Sequence, residues 1–294
     1  MTGPGLRAIV LALALSAPTA VYAQELAWTT IGGQLALLDL ETGQAEAIWP
    51  LGIQLGKLAL DPSGRLYAIE FFQPRLMEVD TATGAVTVVG DLGIAPFRPA
   101  GFTADACGRL WLTGTHAGTF NLYQVDPTTG QATLVVELDS AVSGGLTARG
   151  EELLGMVSTP VTSVVRIDPA TGAVSVELPL TGGSFGTFAL DRTPEGDLWG
   201  FAFPLVPIDP LPSYIFRIGQ DGTTEITYPP TVSFPYLGLA IGPPAGFCGS
   251  GEPPAVPAAS PLGLVALAAV LAAAGLWLRR RTDASRSGPG MSPG

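Results

Sequence analysis

Between residues 26 and 241 the chain is a succession of short apolar runs broken by turn residues. Leu122-Tyr123-Gln124-Val125 and Ala132-Thr133-Leu134-Val135-Val136, for example, flank Asp126-Pro127-Thr128-Thr129-Gly130. Two β-rich runs around a short Gly-containing connection predict a hairpin. The same turn, Asp-x-x-Thr-Gly, stands at Asp39–Gly43, Asp80–Gly84 and Asp168–Gly172, and Gly219-Gln220-Asp221-Gly222 is a shortened fifth copy. The Asp side chain can accept a backbone N–H two residues on. Pro127 and Pro169 preset φ for a type I turn, and the closing Gly supplies the left-handed conformation. The successive closing glycines of the full copies are 41, 46 and 42 residues apart, a period that means a propeller or a solenoid.

Two more strands precede each hairpin. Gly64-Arg65-Leu66-Tyr67, Gly108-Arg109-Leu110-Trp111 and Gly196-Asp197-Leu198-Trp199 share Gly-x-Leu-aromatic, and Glu152-Leu153-Leu154-Gly155 is a degenerate copy. Before them come Lys57–Leu60, Ala100–Thr103, Gly144–Thr147 and Thr187–Leu190, with Leu237–Ala240 at the end of the series. These first strands are rich in Gly and Ala, as suits strands crowded around an axis. Four strands per repeat is a propeller blade. The chain begins with strands 2–4 of a repeat and ends with an orphan strand 1, which would close the first blade and remove a free sheet edge. The prediction is an all-β fold, a five-bladed β-propeller, with six blades as the alternative count and a solenoid as the runner-up architecture.

Both ends of the chain read differently. Arg7 precedes the apolar run Ala8–Ala17, and Val21-Tyr22-Ala23 offers a cleavage site, which predicts a signal peptide over 1–23. The propeller spans 24–246, and 247–260 is a Pro/Gly/Ala linker. A transmembrane helix and Arg cluster follow over 261–281, then a disordered tail over 282–294. Leu262–Leu278 contains no charge, and as a helix it is about 26 Å long, close to a hydrocarbon core of about 30 Å. Arg279, Arg280 and Arg281 after it predict a cytoplasmic C-terminus and an exported propeller.

Residues 24–255 carry nine Lys+Arg against 24 Asp+Glu, a net of −15. That disfavours nucleic acid and anionic lipid as partners. Calcium binding at the repeated aspartates is the alternative to turn chemistry, but a calcium loop needs several oxygen ligands together. The chain has two cysteines and one histidine, with no close Cys/His spacing for a metal. Cys107 and Cys248 could pair in an oxidising compartment, which sequence alone leaves open. No cofactor and no metal residues are expected.

In an up-and-down blade the 1–2 and 3–4 turns lie on one face and the 2–3 and 4–1 loops on the other. The repeated Asp turns and the outgoing linker therefore share a face, with the membrane anchor hanging from it. The opposite, loop face carries Phe71, Phe72 and Phe120 together with the candidate ligand-binding residues Phe97, Arg98, His116, Phe185, Phe234 and Tyr236. Loops on a rigid scaffold commonly carry function, and exposed aromatics are typical anchors. The alternative is that these aromatics pack the loops onto the blades.

Gly-x-Leu-Tyr/Trp with Val/Ile-Asp-Pro-x-Thr-Gly resembles secreted bacterial β-propeller repeat proteins of the NHL and YVTN-like group, over roughly residues 26–242. The tail, Val256-Pro257-Ala258-Ala259-Ser260-Pro261-Leu262-Gly263 with its apolar helix and arginines, is similar to sorting tails of the IPTL-CTERM and PEP-CTERM type. Pro257, Ser260 and Gly263 match that motif and Val256 matches it conservatively, whereas Ala259 and Leu262 stand in place of its Leu and Trp. This resemblance implies an exosortase-type protease as a partner and a place at the cell envelope. The expected role is binding, display or scaffolding, with a glycan or another surface protein as ligand. The enzyme alternative is a propeller hydrolase, lactonase or lyase with a central metal, similar to the gluconolactonase family. That family uses Glu, Asp and Asn as ligands, and the one asparagine here, Asn121, stands at the start of a third strand rather than in an axial one.

Overall fold

The computed structural model describes residues 25–150, 152–158, 161–181, 185–204, 214–227 and 236–242. All of these lie in the first of two units, Met1–Ala245; the second is Gly246–Gly294. The described chain is all β. After β1 (Leu26–Ile31), β2 (Gln34–Asp39) and β3 (Ala45–Pro50) come four complete sets of four. They are β4 (Leu55–Leu60) to β7 (Val86–Asp91) through β5 (Leu66–Glu70) and β6 (Arg75–Val79); β8 (Phe97–Ala104) to β11 (Ala132–Glu137) through β9 (Leu110–His116) and β10 (Thr119–Val125); β12 (Gly144–Arg149) to β15 (Val174–Pro179) through β13 (Glu152–Val157) and β14 (Ser163–Ile167); and β16 (Phe185–Arg192) to β19 (Thr224–Thr227) through β17 (Leu198–Pro204) and β18 (Tyr214–Ile218). The last strand, β20 (Tyr236–Ile241), pairs antiparallel with β1. The result is five four-stranded antiparallel sheets, the first in the order β20-β1-β2-β3. This is the five-bladed propeller with the predicted closure.

The hydrophobic pattern follows from five separate cores, each between two neighbouring blades. Alternate residues of one strand feed different cores. Tyr67 packs with Phe102 and Leu112 toward the third blade, while its neighbours Leu66 and Ala68 pack with Leu35 and Ala240 toward the first. A strand buried on both faces reads as a continuous apolar run, and β5 is buried throughout. The outer strands face water on one side, and β11 and β15 are correspondingly exposed at most positions. Four of the five outer pairings carry a register shift at one place, for example Leu122/Tyr123 and Val164/Val165. Such bulges twist an edge away from further strand pairing.

The Asp-x-x-Thr-Gly turns do what their residue types require. Asp126 Oδ1 accepts the Thr128 N–H at 2.7 Å and its hydroxyl at 2.6 Å. Asp80 Oδ1 accepts Ala82 N at 2.8 Å, and Asp221 Oδ1 accepts Thr223 N at 3.0 Å. The bond from Thr128 to Asp126, and those from Ala82 to Asp80 and from Thr223 to Asp221, hold these carboxyls below their usual range.

The closing glycines have a second role. Sheet twist swings each outer hairpin against the blade before it. A Cβ on Gly84 would lie 2.6 Å from Trp49 Cβ, and one on Gly130 would lie 2.7 Å from the Gly90 carbonyl carbon. Backbone bonds lock the same seam, with Ala132 N donating to Leu92 O at 3.0 Å and Thr181 N to Gly222 O at 2.8 Å. At the rim, therefore, the 3–4 turns closed by Gly130, Gly172 and Gly222 meet the end of the preceding blade's outer strand and the start of its 4–1 connection, and the two sets do not separate cleanly onto opposite faces there.

Candidate functional sites at the axis, the loop ends and an inter-blade cleft

The inner strands β20, β4, β8, β12 and β16 pack side by side around the axis. Strand register aligns them. Ala240, Ala59, Thr103, Thr147 and Asp191 each pair with the same position of the second strand, held by Trp28, Tyr67, Trp111, Leu154 and Trp199. Two residues earlier the ring reads Gly238, Lys57, Gly101, Gly145 and Ala189. Small residues are needed here: a Cβ on Gly101 would lie 2.6 Å from Leu146 Cβ, and one on Gly238 would lie 2.5 Å from Gly56 O. Each ring thus holds one charged residue, Asp191 and Lys57.

Asp191 joins three inner strands. Its Oδ1 accepts the Thr147 hydroxyl at 2.8 Å and the Arg192 N–H at 2.8 Å. Its Oδ2 accepts the backbone N–H of Ile241 at 2.7 Å. Burial pushes its carboxyl up to about 7, against the lowering effect of these donors. Burial likewise lowers the Lys57 amine to about 8. The cavities beside Asp191 and beside Lys57 are about 10 Å³ each, room for about one water and not for an organic substrate. Among the described residues no three His, Cys, Asp or Glu side chains gather as a metal site.

The predicted ligand-binding residues divide. Phe97 opens β8 and pairs with His116 at the end of β9, and Arg98 pairs with Thr115. Phe97 and Arg98 therefore belong to a strand rather than to the preceding loop. The Phe97 ring stands edge-on to Tyr123 at 5.6 Å and 86° and packs against the core between the second and third blades. His116 Nδ1 lies 3.0 Å from Pro96 O, which ties the loop to the hairpin end, and Arg98 is exposed. Phe185 and Tyr236 begin the inner strands β16 and β20, with side chains outside the described set. Phe234 lies outside the described residues, as do the signal segment, the helix at 261–281 and the sorting motif (Val256, Pro257, Ser260, Gly263, Arg279, Arg280, Arg281). Among the described residues no helix is long and apolar enough to cross a membrane. Cys107 is held in a disulfide, with its N–H on Asp105 Oδ1 at 2.9 Å; Cys248 lies outside the described residues.

Among the described residues the exposed aromatic rings at the loop ends are Phe71 and Phe72, between β5 and β6. They are 47 % and 74 % exposed and stacked edge to face at 5.0 Å and 87°. Below them Glu70 is buried and bound by Arg75 at 2.6 Å.

A much larger cavity, about 710 Å³, is a cleft between the fourth and fifth blades with Arg149, Arg192 and Arg217 among its walls. Sequence reading passed over this cleft and both axial charges. The one available signal was a charged residue in each of two otherwise small or neutral inner-strand registers, and that shows only once the blades are aligned.

No family model matches the chain, and no curated relative matches it. Solved structures similar to it include regucalcin, a calcium-binding protein from Agrobacterium tumefaciens, with 21% identity over 75% of each chain and a TM-score of 0.46. A nidogen/laminin complex chain is 13% identical, covering 74% of this chain and 97% of that one at a TM-score of 0.49. A streptogramin B lyase is 16% identical over 71% and 66%, at a TM-score of 0.42.

Proposed function

We propose that the protein is an exported, envelope-anchored β-propeller that binds a glycan or another surface protein through its 2–3 and 4–1 loops. The observation that carries this reading is the Phe71–Phe72 pair, two large aromatic rings turned to water on a rigid blade. Holding such rings in solvent forgoes roughly 1.5–3 kcal/mol of burial each, a cost that a binding surface recovers on contact. Arg98 and His116 on the next blade add polar groups at the same end of the strands. The signal segment and apolar tail read from the sequence supply export and anchoring, with an exosortase-type protease as the processing partner. A glycan array probed with the full-length protein and with the Phe71→Ala/Phe72→Ala double variant tests the site. A bound glycan class whose signal falls at least about tenfold in the variant supports it; equal signals, or none on glycans and on a surface-protein panel alike, reject it.

The second reading is a hydrolase, lactonase or lyase acting at the axis, favoured by the shifted Asp191 and Lys57 groups. The 10 Å³ cavities beside them weigh against it. Stoichiometric divalent metal in the purified protein, measured by elemental analysis, would favour that reading over display.

A further inference from the structure

We infer that the cleft between the fourth and fifth blades is a second binding site, built for a short zwitterionic peptide with free amino and carboxyl termini. At about 710 Å³ it falls within the roughly 300–1,000 Å³ of small-ligand pockets. Its charges are sorted into occupied and available groups. Arg149 is held between Glu152, at 2.7 Å, and Glu177. Arg217 is held by Asp197 at 2.6 Å. These pairs stiffen the walls and leave little charge to offer.

Arg192 differs. Its Nε donates to Gly196 O at 3.3 Å, and among the described residues it makes no ion pair. In a chain of net charge −11, a guanidinium left without a carboxylate beside a cavity is a receptor for an incoming one. Glu195 and Glu225, also in the walls, are exposed and likewise make no ion pair among the described residues. They complement an ammonium group. A polyanion is excluded because four lining carboxylates outnumber three guanidinium groups. A ligand with one positive and one negative end matches the available charges. Leu178, Leu198 and Ile218 give the cleft an apolar lining for small side chains between those ends.

The test is calorimetric titration of the full-length protein in detergent with trialanine, N-acetyl-trialanine and trialanine amide at pH 7. Trialanine is expected to bind, and each blocked peptide to bind at least about tenfold more weakly, since a charge-assisted hydrogen bond is lost each time. In Arg192→Gln the free and amidated peptides should bind alike; in Glu225→Gln the penalty for acetylation should shrink. If Arg192→Gln does not fold, the blocked series on the unmodified protein still decides. Equal binding of all three peptides, binding of a digalacturonate with none of trialanine, or no heat at millimolar peptide each overturns the proposal.

Discussion

The carboxylate of Asp191, on the last complete blade, accepts the backbone N–H of Ile241 at 2.7 Å, and Ile241 belongs to the strand that completes the first blade. The ring is thus fastened at its closure by a side chain near the axis as well as by the β20–β1 ladder. The same carboxylate takes a hydroxyl from the fourth blade, so three blades meet on one group.

Burial of this group, which outweighs the lowering effect of its donors, gives stability a pH dependence of definite sign. The folded Asp191 carboxyl titrates near 7, above its unfolded value of about 3.9. The folded state therefore binds the extra proton between those limits. Its contribution is complete below about pH 4 and is lost as pH rises to about 7. Thermal unfolding followed from pH 4 to 8 should show Asp191→Asn losing less stability over that range than the parent, by up to about 4 kcal/mol. Parallel pH profiles would refute the assignment.

Asp105 is the buried hub of the β8–β9 turn. It binds Arg109 Nε at 2.6 Å, Trp111 Nε1 at 2.8 Å and the N–H groups of Cys107 and Arg109. Asp105→Ala strands those donors, and urea unfolding should show a loss of about 3–5 kcal/mol. The exposed Asp126→Ala, in a turn of the other kind, should shift the urea midpoint far less.

Gly145 has φ of 61°, and a Cβ there would overlap the backbone nitrogen of Leu190. Gly145→Ala should destabilise by about 3 kcal/mol or more. Gly150 has a similar φ of 63° but open space around it, so Gly150→Ala should cost only about 1–2 kcal/mol. The difference between the two denaturation midpoints measures inter-blade crowding apart from backbone strain.

Ala117 holds φ of 51° in the β9–β10 turn, a conformation costing an L residue about 1–2 kcal/mol. Ala117→Gly should raise the thermal midpoint by roughly 2–4 °C for a chain of this size. An unchanged or lowered midpoint would show that the turn is held at no such cost.

The blade period was legible because Asp, Pro, Thr and Gly in the repeated turn each answer a local backbone need, and local needs are written in consecutive residues. The closure was legible for a related reason, since an orphan strand 1 has only one place to pair. The seam between blades was not. Gly130 is glycine for Gly90 as much as for its own turn, and nothing within a single repeat announces its neighbour. Asp191 was hidden in the same way. Followed by Arg192-Thr193-Pro194 it reads as the start of a polar turn, whereas it is the last but one residue of an inner strand. Phe97 erred in the other direction, since an aromatic beside proline reads as a loop anchor until Gly114 leaves room for its ring.

Closure by β20 also sets an order of events. The Thr29 hydroxyl donates to Gly238 O across 209 residues of chain, and β1 lacks its inner partner until that segment has been made. A chain emerging from its N-terminus therefore cannot finish its first blade early. The other four blades can form as they appear, but the contacts of longest sequence separation come last and most slowly. Until then the apolar edge of β1 is an open template for another strand, and only the pairing of β20 removes it.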